Sequence, residues 1–278
     1  MKISIIVPVY NVTRPLLEEC FASLAKQSLR AHEYEIVIVD DSSMTPETIT
    51  TVDTFLTANT NVRLVRHEEN RGLNEARRTG VKAAEGDYVI FVDGDDILSR
   101  DALEILRMEA HRRNADLVTA GRVRWNAEIS RYAYIGTAAF IMPADRTTRL
   151  QNLHEAKIDF TMCGRLFRKS VLTDDVFDIP PRIYHEDLAT FVRANYNIKN
   201  TAHVEHIIYF YTLNNQSITG GFKLKHAESM FWCLNDWVAQ AEKHGQLTEL
   251  ASAITQGLSF LINLCISRCL SEPTLSIQ

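Results

Sequence analysis

The sequence predicts an α/β fold in which a mainly parallel sheet is flanked by helices, with a helical extension at the C-terminus. Two observations carry this prediction. Short apolar runs alternate with amphipathic helical patterns through the first third of the chain, which is typical of βαβ units and a parallel sheet. Two long helical patterns close the chain. We therefore divide the sequence into residues 1–221, which carry the sheet, and residues 222–278, which form the extension.

Composition and charge narrow the class of protein. The 278 residues are 46% apolar and 23% charged, with a formal charge of −5, which argues against non-specific nucleic-acid binding. Five cysteines without paired metal-ligand spacing fit a reducing cytosol, so we expect a cytoplasmic protein. We expect no signal peptide, because Pro8 interrupts the first apolar run, and no membrane span, because no run approaches ~20 apolar residues.

Two pairs of strand and helix open the chain. Residues 3–7 form an isoleucine- and valine-rich run that ends at Pro8. Pro15 suits the first turn of the following helix. The second strand, residues 35–39, is almost continuously apolar, as in strands buried on both faces, and its helix begins near Pro46.

Two further pairs complete the predicted parallel sheet. Residues 62–65 form a short strand, and the helix over residues 73–84 has small residues along one face. Residues 88–92 form the fourth strand, and Ser99 suits the N-cap of the helix after it. Parallel strands joined by such helices bring their carboxyl ends to one edge of the sheet, which is where ligands bind in open α/β folds.

The second half of the chain is less regular. Residues 116–120 have the pattern of a strand, residues 122–145 are interpreted as sheet and loop, and the polar residues 145–152 carry no assigned element. A helix follows Asp187, and residues 204–211 alternate like a strand.

The fourth strand leads directly into Asp93, Gly94, Asp95 and Asp96. Three carboxylates cannot be core residues, because unpaired charge is costly to bury, so they face water or a cation. Mg²⁺ and Mn²⁺ use few protein carboxylates, together with phosphate oxygens and waters. Gly94 lets the backbone approach a ligand closely. The alternative, a solvated acidic turn capping the next helix, explains one aspartate better than three.

Three loops are expected to meet at this edge: Pro8 to Asn11, Asp40-Asp41, and the acidic tip, by which we mean residues 93–96. Tyr10 suits stacking on a flat base, and Asp40 suits accepting a hydrogen bond from the N3–H of uracil. Taken singly, a turn aromatic and a helix N-cap explain them better. Convergence of the three loops favours a site for a nucleotide diphosphate held through a metal.

Five motifs in order then resemble glycosyltransferase family 2, whose members have the GT-A fold. They lie at residues 5–11, 35–43, 70–77, 87–96 and 185–187. Each motif alone is weak, but five in the family's order, over the first two-thirds of the chain, are specific. The resemblance therefore implies a GT-A fold, a nucleotide-sugar donor and an inverting transfer.

The resemblance also implies roles for single residues on the donor side. Pro8, Tyr10 and Asp40 match uridine-binding residues, and Arg71 matches a basic residue beside the base or phosphates. Asp93 and Asp95 match the ends of the DxD motif, of which the first meets the ribose side and the last the metal. Gly94 replaces the commoner serine or alanine at a position that is not a ligand.

Asp187 matches the family's catalytic base, with Glu186 before it. Inversion by direct displacement needs one carboxylate to take the acceptor's proton, and no second carboxyl group is needed because no covalent glycosyl-enzyme forms. The alternative is capping of the helix at residue 188. Capping and catalysis are compatible, because the helix dipole favours ionised carboxylates there.

Three further expectations concern a metal ligand, a basic residue and a mobile loop. Some relatives add a histidine to the metal, which makes His206, or His203, a candidate ligand beside Asp95; the strand-like alternation around both favours a surface or packing histidine. Arg165 stands where the family often has lysine. Residues 215–219 resemble a loop near the diphosphate, with Gly220-Gly221 as a hinge for a mobile lid.

The resemblance implies a metal-dependent transferase, using Mn²⁺ or Mg²⁺, that moves a hexosyl group from a UDP-sugar to a hydroxyl of a surface polysaccharide or lipid-linked acceptor. A metal-dependent phosphotransferase is disfavoured, because it needs the acidic motif on the N-terminal strand. A non-catalytic sugar-nucleotide-binding module is disfavoured by the intact Asp187.

The terminal helices suggest a location and a partner. They leave open association with the inner face of the plasma membrane, packing on the catalytic domain, or a homodimer. Their polar faces are not richly basic, which disfavours the membrane surface.

Overall fold

The computed structural model describes residues 1–126, 131–134, 142–212 and 224–271, with backbone alone at residues 125–126, 131–134 and 268–271. Its described strands form one sheet. They are β1 Ile3–Val9, β2 Tyr34–Asp40, β3 Val62–Arg66, β4 Tyr88–Phe91, β5 Ile97–Leu98, β6 Leu117–Asn126, β7 Arg131–Tyr134, β8 Leu166–Arg168 and β9 Thr201–Thr212.

The sheet has the order β3-β2-β1-β4-β8-β6-β9-β5, with β7 paired to β6. The first four strands in this order are parallel. β8 runs antiparallel between β4 and β6, while β6 and β9 pair in parallel. The predicted α/β class with a mainly parallel sheet is confirmed, and the parallel half is the part on which the predicted nucleotide loops lie.

Eight α-helices accompany the described strands. They are α1 Arg14–Ala25, α2 Pro46–Ala58, α3 Leu73–Ala83, α4 Ala102–Arg113, α5 Arg146–His154, α6 Glu186–Asn197, α7 Leu224–Lys243 and α8 Leu247–Ser271. α3 lies close against β1, because a Cβ at Gly80 would overlap the side chain of Ile6. The small face predicted for this helix thus brings it directly onto the sheet.

The C-terminal helices pack onto the rest of the chain. α7 contacts α6 and α8, and α8 contacts α5. Trp237 on α7 is fully buried; its Nε1 donates a hydrogen bond to the backbone carbonyl of Leu188 on α6 at 2.7 Å, and its ring stacks on Phe160 at 5.2 Å. The extension therefore holds the first turns of α6. The expected boundary at residues 221 and 222 lies outside the described residues.

Two local expectations are corrected. Ser99 does not cap α4: the N-cap is Asp101, to whose carboxylate the Ser99 hydroxyl donates at 2.8 Å. The polar stretch over residues 145–152 contains α5, whose N-cap Asp145 accepts from the N–H of Thr148 at 2.7 Å. A helix with few apolar residues is set by its cap and by packing against α6 and α8, which hydrophobic periodicity does not report.

α8 bears on the expectation that no segment spans a membrane. Among the described helices, this one is long and apolar enough to cross a membrane by length and composition, over Leu247–Ser267. The apolar residues of this helix form no uninterrupted run, because threonine, serine and glutamine lie between them. Leu250, Ile254 and Leu261 are buried against the other helices.

Candidate active site

The carboxyl ends of β1, β2 and β4 lie side by side, as the sequence predicts. Val9 pairs with Asp40, and the N–H of Asp41 donates to the carbonyl of Val9 at 2.9 Å. A Cβ on Gly94 would lie 3.3 Å from the carbonyl oxygen of Pro8. The acidic tip is therefore pressed against the first loop, and the three predicted loops form one edge.

Tyr10 and Asp40 differ in their exposure at this edge. The side chain of Tyr10 is 45% exposed, which leaves its ring open to a planar ligand. Asp40 is 2% exposed; its Oδ1 accepts from the N–H of Ser43 at 2.9 Å and its Oδ2 from Nε of Arg66 at 3.1 Å. Each oxygen keeps a second lone pair for a further donor.

Asp41 organises the next loop, a role that the sequence analysis did not assign. Its Oδ1 accepts from the N–H of Arg71 at 2.9 Å and lies 2.7 Å from Nδ1 of His67, while its Oδ2 accepts from the N–H of Gly72 at 2.8 Å. Gly72 has a φ of +92°, a value that favours glycine. Asp41 thereby fixes the turn that carries the exposed Arg71 at the rim.

The acidic tip contains two kinds of carboxylate. Asp93 and Asp95 are partly exposed, whereas Asp96 is 1% exposed and accepts from the hydroxyl of Tyr209 at 2.6 Å and from the N–H of Thr212 at 2.8 Å. Burial raises the pKa of Asp96 well above its ordinary value, and the charges of Asp93 and Asp95 reinforce the rise. The expectation that all three acids face water or a cation is therefore wrong for Asp96, which is buried and supports the turn because two donors satisfy its carboxyl group. No sequence signal pointed to Tyr209.

The donor set at the tip fits a hard divalent ion. Asp93 and Asp95 offer carboxylate oxygens at the rim, which Mg²⁺ and Mn²⁺ prefer. Among the described residues, no group of three or more His, Cys, Asp and Glu side chains is arranged to hold a metal. An ion held by one or two carboxylates takes its other ligands from phosphate oxygens and water. His206 is exposed on β9, and His203 has Nδ1 2.8 Å from the hydroxyl of Thr119.

Arg77, on α3, joins this tip to the start of α6. Its Nη1 lies 2.5 Å from Oδ1 of Asp187 and 3.1 Å from Oε1 of Glu186, and its Nη2 lies 3.3 Å from Oδ1 of Asp93. The Arg77 side chain is 3% exposed. Within the described part of the chain, one guanidinium thus serves three carboxylates from two segments. One sequence signal could have indicated this role of Arg77. It is an arginine within the 70–77 motif, on the same helix face as Gly80.

The two carboxylates at the start of α6 have perturbed acidity. Burial raises the pKa of Glu186 to about 7, with a further contribution from the charge of Asp187. Burial also raises the pKa of Asp187, and Arg77 opposes that rise. The N–H of Met162 donates to Oδ2 of Asp187 at 3.1 Å. Asp187 is therefore oriented from two sides while remaining partly exposed.

Arg165, which stands where the family often has lysine, is buried against α6. It is 3% exposed, its guanidinium stacks 4.1 Å above the ring of Phe191, and its Nη2 donates to the carbonyl of Asp159 at 2.7 Å. Burial lowers its pKa to about 10. These contacts hold the loop that contains Met162. The expected lid, residues 215–219 with Gly220-Gly221, lies outside the described residues.

Known proteins resemble this chain in sequence and in fold. A chain described as the uncharacterized glycosyltransferase EpsJ of Bacillus subtilis is 29% identical over 226 residues, covering 78% of this chain and 62% of EpsJ. A poly(ribitol-phosphate) beta-glucosyltransferase of Bacillus spizizenii is 30% identical over 185 residues, covering 66% of this chain and 27% of that protein. The chain thus spans less than two-thirds of either relative.

The crystal structure of Staphylococcus aureus TarS, residues 1–349, in complex with UDP-GlcNAc shares the fold. Its TM-score is 0.73 at 22% identity, over 91% of this chain and 72% of that one. The expected GT-A architecture is therefore confirmed.

A family model gives the assignment. The model named glycosyl transferase family 2 matches residues 4–175, well over half of the chain, and this range contains the first four of the five sequence motifs. The loops at the carboxyl edge, the acidic tip and the fold agree with that match. The chain belongs to glycosyl transferase family 2.

Proposed function

We propose that the chain transfers a sugar from a nucleotide-sugar to a hydroxyl of a saccharide or lipid-linked acceptor in surface-polysaccharide synthesis. The proposed donor is a UDP-sugar. The observation that carries the proposal is the link through Arg77 between Asp93 and Asp187. It joins the acidic tip, beside the nucleotide loops, to a partly exposed carboxylate suited to proton removal.

The donor side rests on Tyr10, Asp40, Arg71 and the backbone of Pro8. Tyr10 is exposed for stacking, and Arg71 is exposed on a turn that Asp41 fixes. Asp40 keeps acceptor capacity for the N3–H of uracil beside its two present partners. Solved complexes of TarS with UDP and with UDP-GlcNAc support a uridine donor for this family member.

A divalent ion, Mn²⁺ or Mg²⁺, would be held by Asp95, with Asp93 beside it on the ribose side and His206 as a further candidate ligand. When bound, such an ion supplies positive charge that stabilises the leaving diphosphate. Gly94 contributes no ligand; its missing side chain lets the tip approach the carbonyl of Pro8.

Asp187 acts as the general base of the transfer. The acceptor oxygen forms a bond to the anomeric carbon, the bond from that carbon to the diphosphate oxygen breaks, and the nucleotide leaves with the electron pair. The acceptor proton passes to Asp187, whose oxygens each have one present donor and a remaining lone pair. Glu186 has a pKa of about 7 and therefore holds a proton part of the time near neutral pH. This proton lowers the negative charge beside Asp187.

The acceptor class and the location are proposed from relatives and composition. The names of related proteins refer to poly(ribitol-phosphate), a polymer acceptor. Cys20, Cys163 and Cys233 are buried free thiols, which fits the cytoplasm. α8 has exposed apolar side chains at Phe260, Leu264 and Ile266, which leave both a membrane surface and a second copy of the chain as partners.

A thermal-shift screen against UDP-, GDP- and dTDP-sugars with and without Mn²⁺ tests the donor. We expect a UDP-sugar to raise the Tm in a manner that depends on the metal, because a ligand that binds only the folded state stabilises it by mass action. Release of UDP on addition of a polyol-phosphate or lipid-linked saccharide then tests transfer. Absence of any nucleotide-dependent shift would refute the proposal, and binding without transfer to any acceptor would favour the non-catalytic module.

A further inference from the structure

One buried cation lies between the proposed base and the acidic tip. Arg77 is reached by carboxylate oxygens of Asp187, Glu186 and Asp93 within 3.3 Å, and its Nη2 is also 3.3 Å from Sγ of Cys163. Its carbon atom Cζ lies 5.9 Å from the centre of the Phe91 ring. Such a guanidinium is placed to orient other groups and is shielded from solvent.

We infer that Arg77 is a positioning residue for Asp187: it fixes the place and direction of the carboxylate that takes the acceptor's proton and holds it in a constant relation to Asp93. The inference rests on the proposed function. It assigns Arg77 no contact with the substrate, because the side chain is 3% exposed.

The position of Arg77 follows from the packing of α3. Gly80 lies one turn further along the same face of the helix, and a Cβ there would overlap Ile6. Nδ2 of Asn74 donates to the carbonyl of Phe177 at 2.9 Å, which fixes the start of the helix. The guanidinium is therefore attached to a helix held against the sheet, whereas Asp187 sits at a helix start that follows a loop.

The contacts divide between the two oxygens of Asp187. Arg77 binds Oδ1, and the N–H of Met162 binds Oδ2. The fork geometry of arginine also reaches Glu186 with Nη1 and Asp93 with Nη2, which a single ammonium group cannot reproduce. Losing Arg77 would leave Asp187 with the backbone donor of a loop, so the carboxylate would be free to rotate.

Several charged or titratable groups surround Asp187. They are Arg77 on α3, Asp93 after β4, Asp159, Cys163 and Arg165 in the segment before β8, and Glu186 on α6. Burial opposes the charged form of Arg77, yet its carboxylate neighbours raise the pKa of Arg77 above its ordinary value. Arg77 thus keeps its charge throughout the working pH range and favours the ionised form of Asp187.

The test compares Arg77→Met and Arg77→Lys with Arg78→Met. Arg78 is the matched control, because it is on the same helix and pairs with Asp174 and Glu75 away from the site. We expect Arg77→Met to lower kcat by about 100-fold, the loss that a small misplacement of a reacting group produces, with a smaller change in donor KM. Arg78→Met should remain close to wild type.

The pH profile separates positioning from a general structural loss. In Arg77→Met the acid limb of kcat should move to higher pH, because the base loses the cation that favours its ionised form. Arg77→Lys should keep the limb near its wild-type position and recover part of the rate. An unmoved acid limb in Arg77→Met, or equal losses in Arg77→Met and Arg78→Met, would overturn the inference.

A double variant tests whether Arg77 acts through Asp187. If Arg77 acts through Asp187, adding Arg77→Met to Asp187→Asn should slow transfer no further, since residues that act as a unit are non-additive. Fully multiplicative losses would contradict this. Should Arg77→Met not fold, the kcat of Arg77→Lys carries the test: it should stay below wild type, because a single ammonium group cannot reproduce the three contacts of the guanidinium. A wild-type chain without transfer refutes the proposed function, whereas an active wild type with an unaffected Arg77→Met or Arg77→Lys refutes the inference alone.

Discussion

The hydroxyl of Tyr209 donates a hydrogen bond to Oδ2 of Asp96 at 2.6 Å, which anchors the acidic tip after β4 to the strand β9. The same hydroxyl accepts from the N–H of Asp93 at 3.2 Å. The last acid of the tip therefore fixes the loop, whereas Asp93 and Asp95 lie partly exposed at the rim.

Replacing Tyr209 with phenylalanine should destabilise the protein by about 1–3 kcal/mol, because the buried carboxyl group of Asp96 loses one of its donors. Urea unfolding at neutral pH measures the change. Tyr211→Phe is the control: it lies on the same strand, and its hydroxyl makes no hydrogen bond in the part of the chain that the structure describes. Equal stability of both variants would show that the hydroxyl of Tyr209 carries no such role.

Glu186 gives a pH-dependent stability. Its pKa is about 7 in the folded protein, against an ordinary value of 4.5, so the folded state holds a proton that the unfolded state releases between these values. Stability then falls as the pH rises through this window. Glu186→Gln resembles the protonated form and should escape the loss.

The measurement compares Glu186→Gln with wild type by urea unfolding from pH 5 to pH 8. The variant should gain stability relative to wild type as the pH rises, reaching on the order of 3 kcal/mol at pH 8, since one pKa unit corresponds to about 1.4 kcal/mol. At pH 5 the pH-dependent difference between the two curves should shrink to about 1 kcal/mol. A constant difference across the range would contradict the raised pKa.

Asp95→Asn should abolish nucleotide binding that depends on Mn²⁺, because an amide oxygen is a much weaker ligand than a carboxylate for a hard cation. Titration calorimetry with UDP, with and without the metal, measures this effect. Asp101→Asn is a suitable control, since Asp101 is exposed beyond the tip. Unchanged metal-dependent binding in Asp95→Asn would remove Asp95 from the metal site.

Asp187→Asn should leave donor affinity near wild type and slow transfer by about 10²–10⁴-fold, the usual contribution of a general base. The asparagine keeps the shape of the side chain but cannot take a proton. Donor affinity from calorimetry and the rate of UDP release in the presence of acceptor separate the two effects. Full transfer by Asp187→Asn would place the base elsewhere.

The parallel half of the fold was readable from the sequence because its signals are local. An isoleucine- and valine-rich run such as Ile3–Val9 has the pattern of a buried strand. The geometry of parallel sheets then places the acids that follow the neighbouring strands at the same edge. The edge that carries Tyr10, Asp40 and the acidic tip could therefore be predicted together with its motifs.

The missing parts depend on contacts between distant segments. In the sequence Arg77 is one polar residue of an amphipathic helix, and only the approach of α6 and of the acidic tip gives it three carboxylate partners. From the sequence, Tyr209 is an ordinary aromatic residue of a strand. Only the pairing of β5 with β9 brings it under the acidic tip. α5 has a weak apolar pattern, and its cap at Asp145 is the local signal that could have indicated it.

The hydrogen bond from Trp237 to the carbonyl of Leu188 limits how the protein can be rebuilt. A designer who exchanges the last two helices for those of another transferase, in order to change acceptor preference, would also remove a support of the turn that carries Asp187. Grafts that retain an indole at this position, and an aromatic neighbour equivalent to Phe160, should keep turnover. Grafts without them should bind donor and turn over slowly.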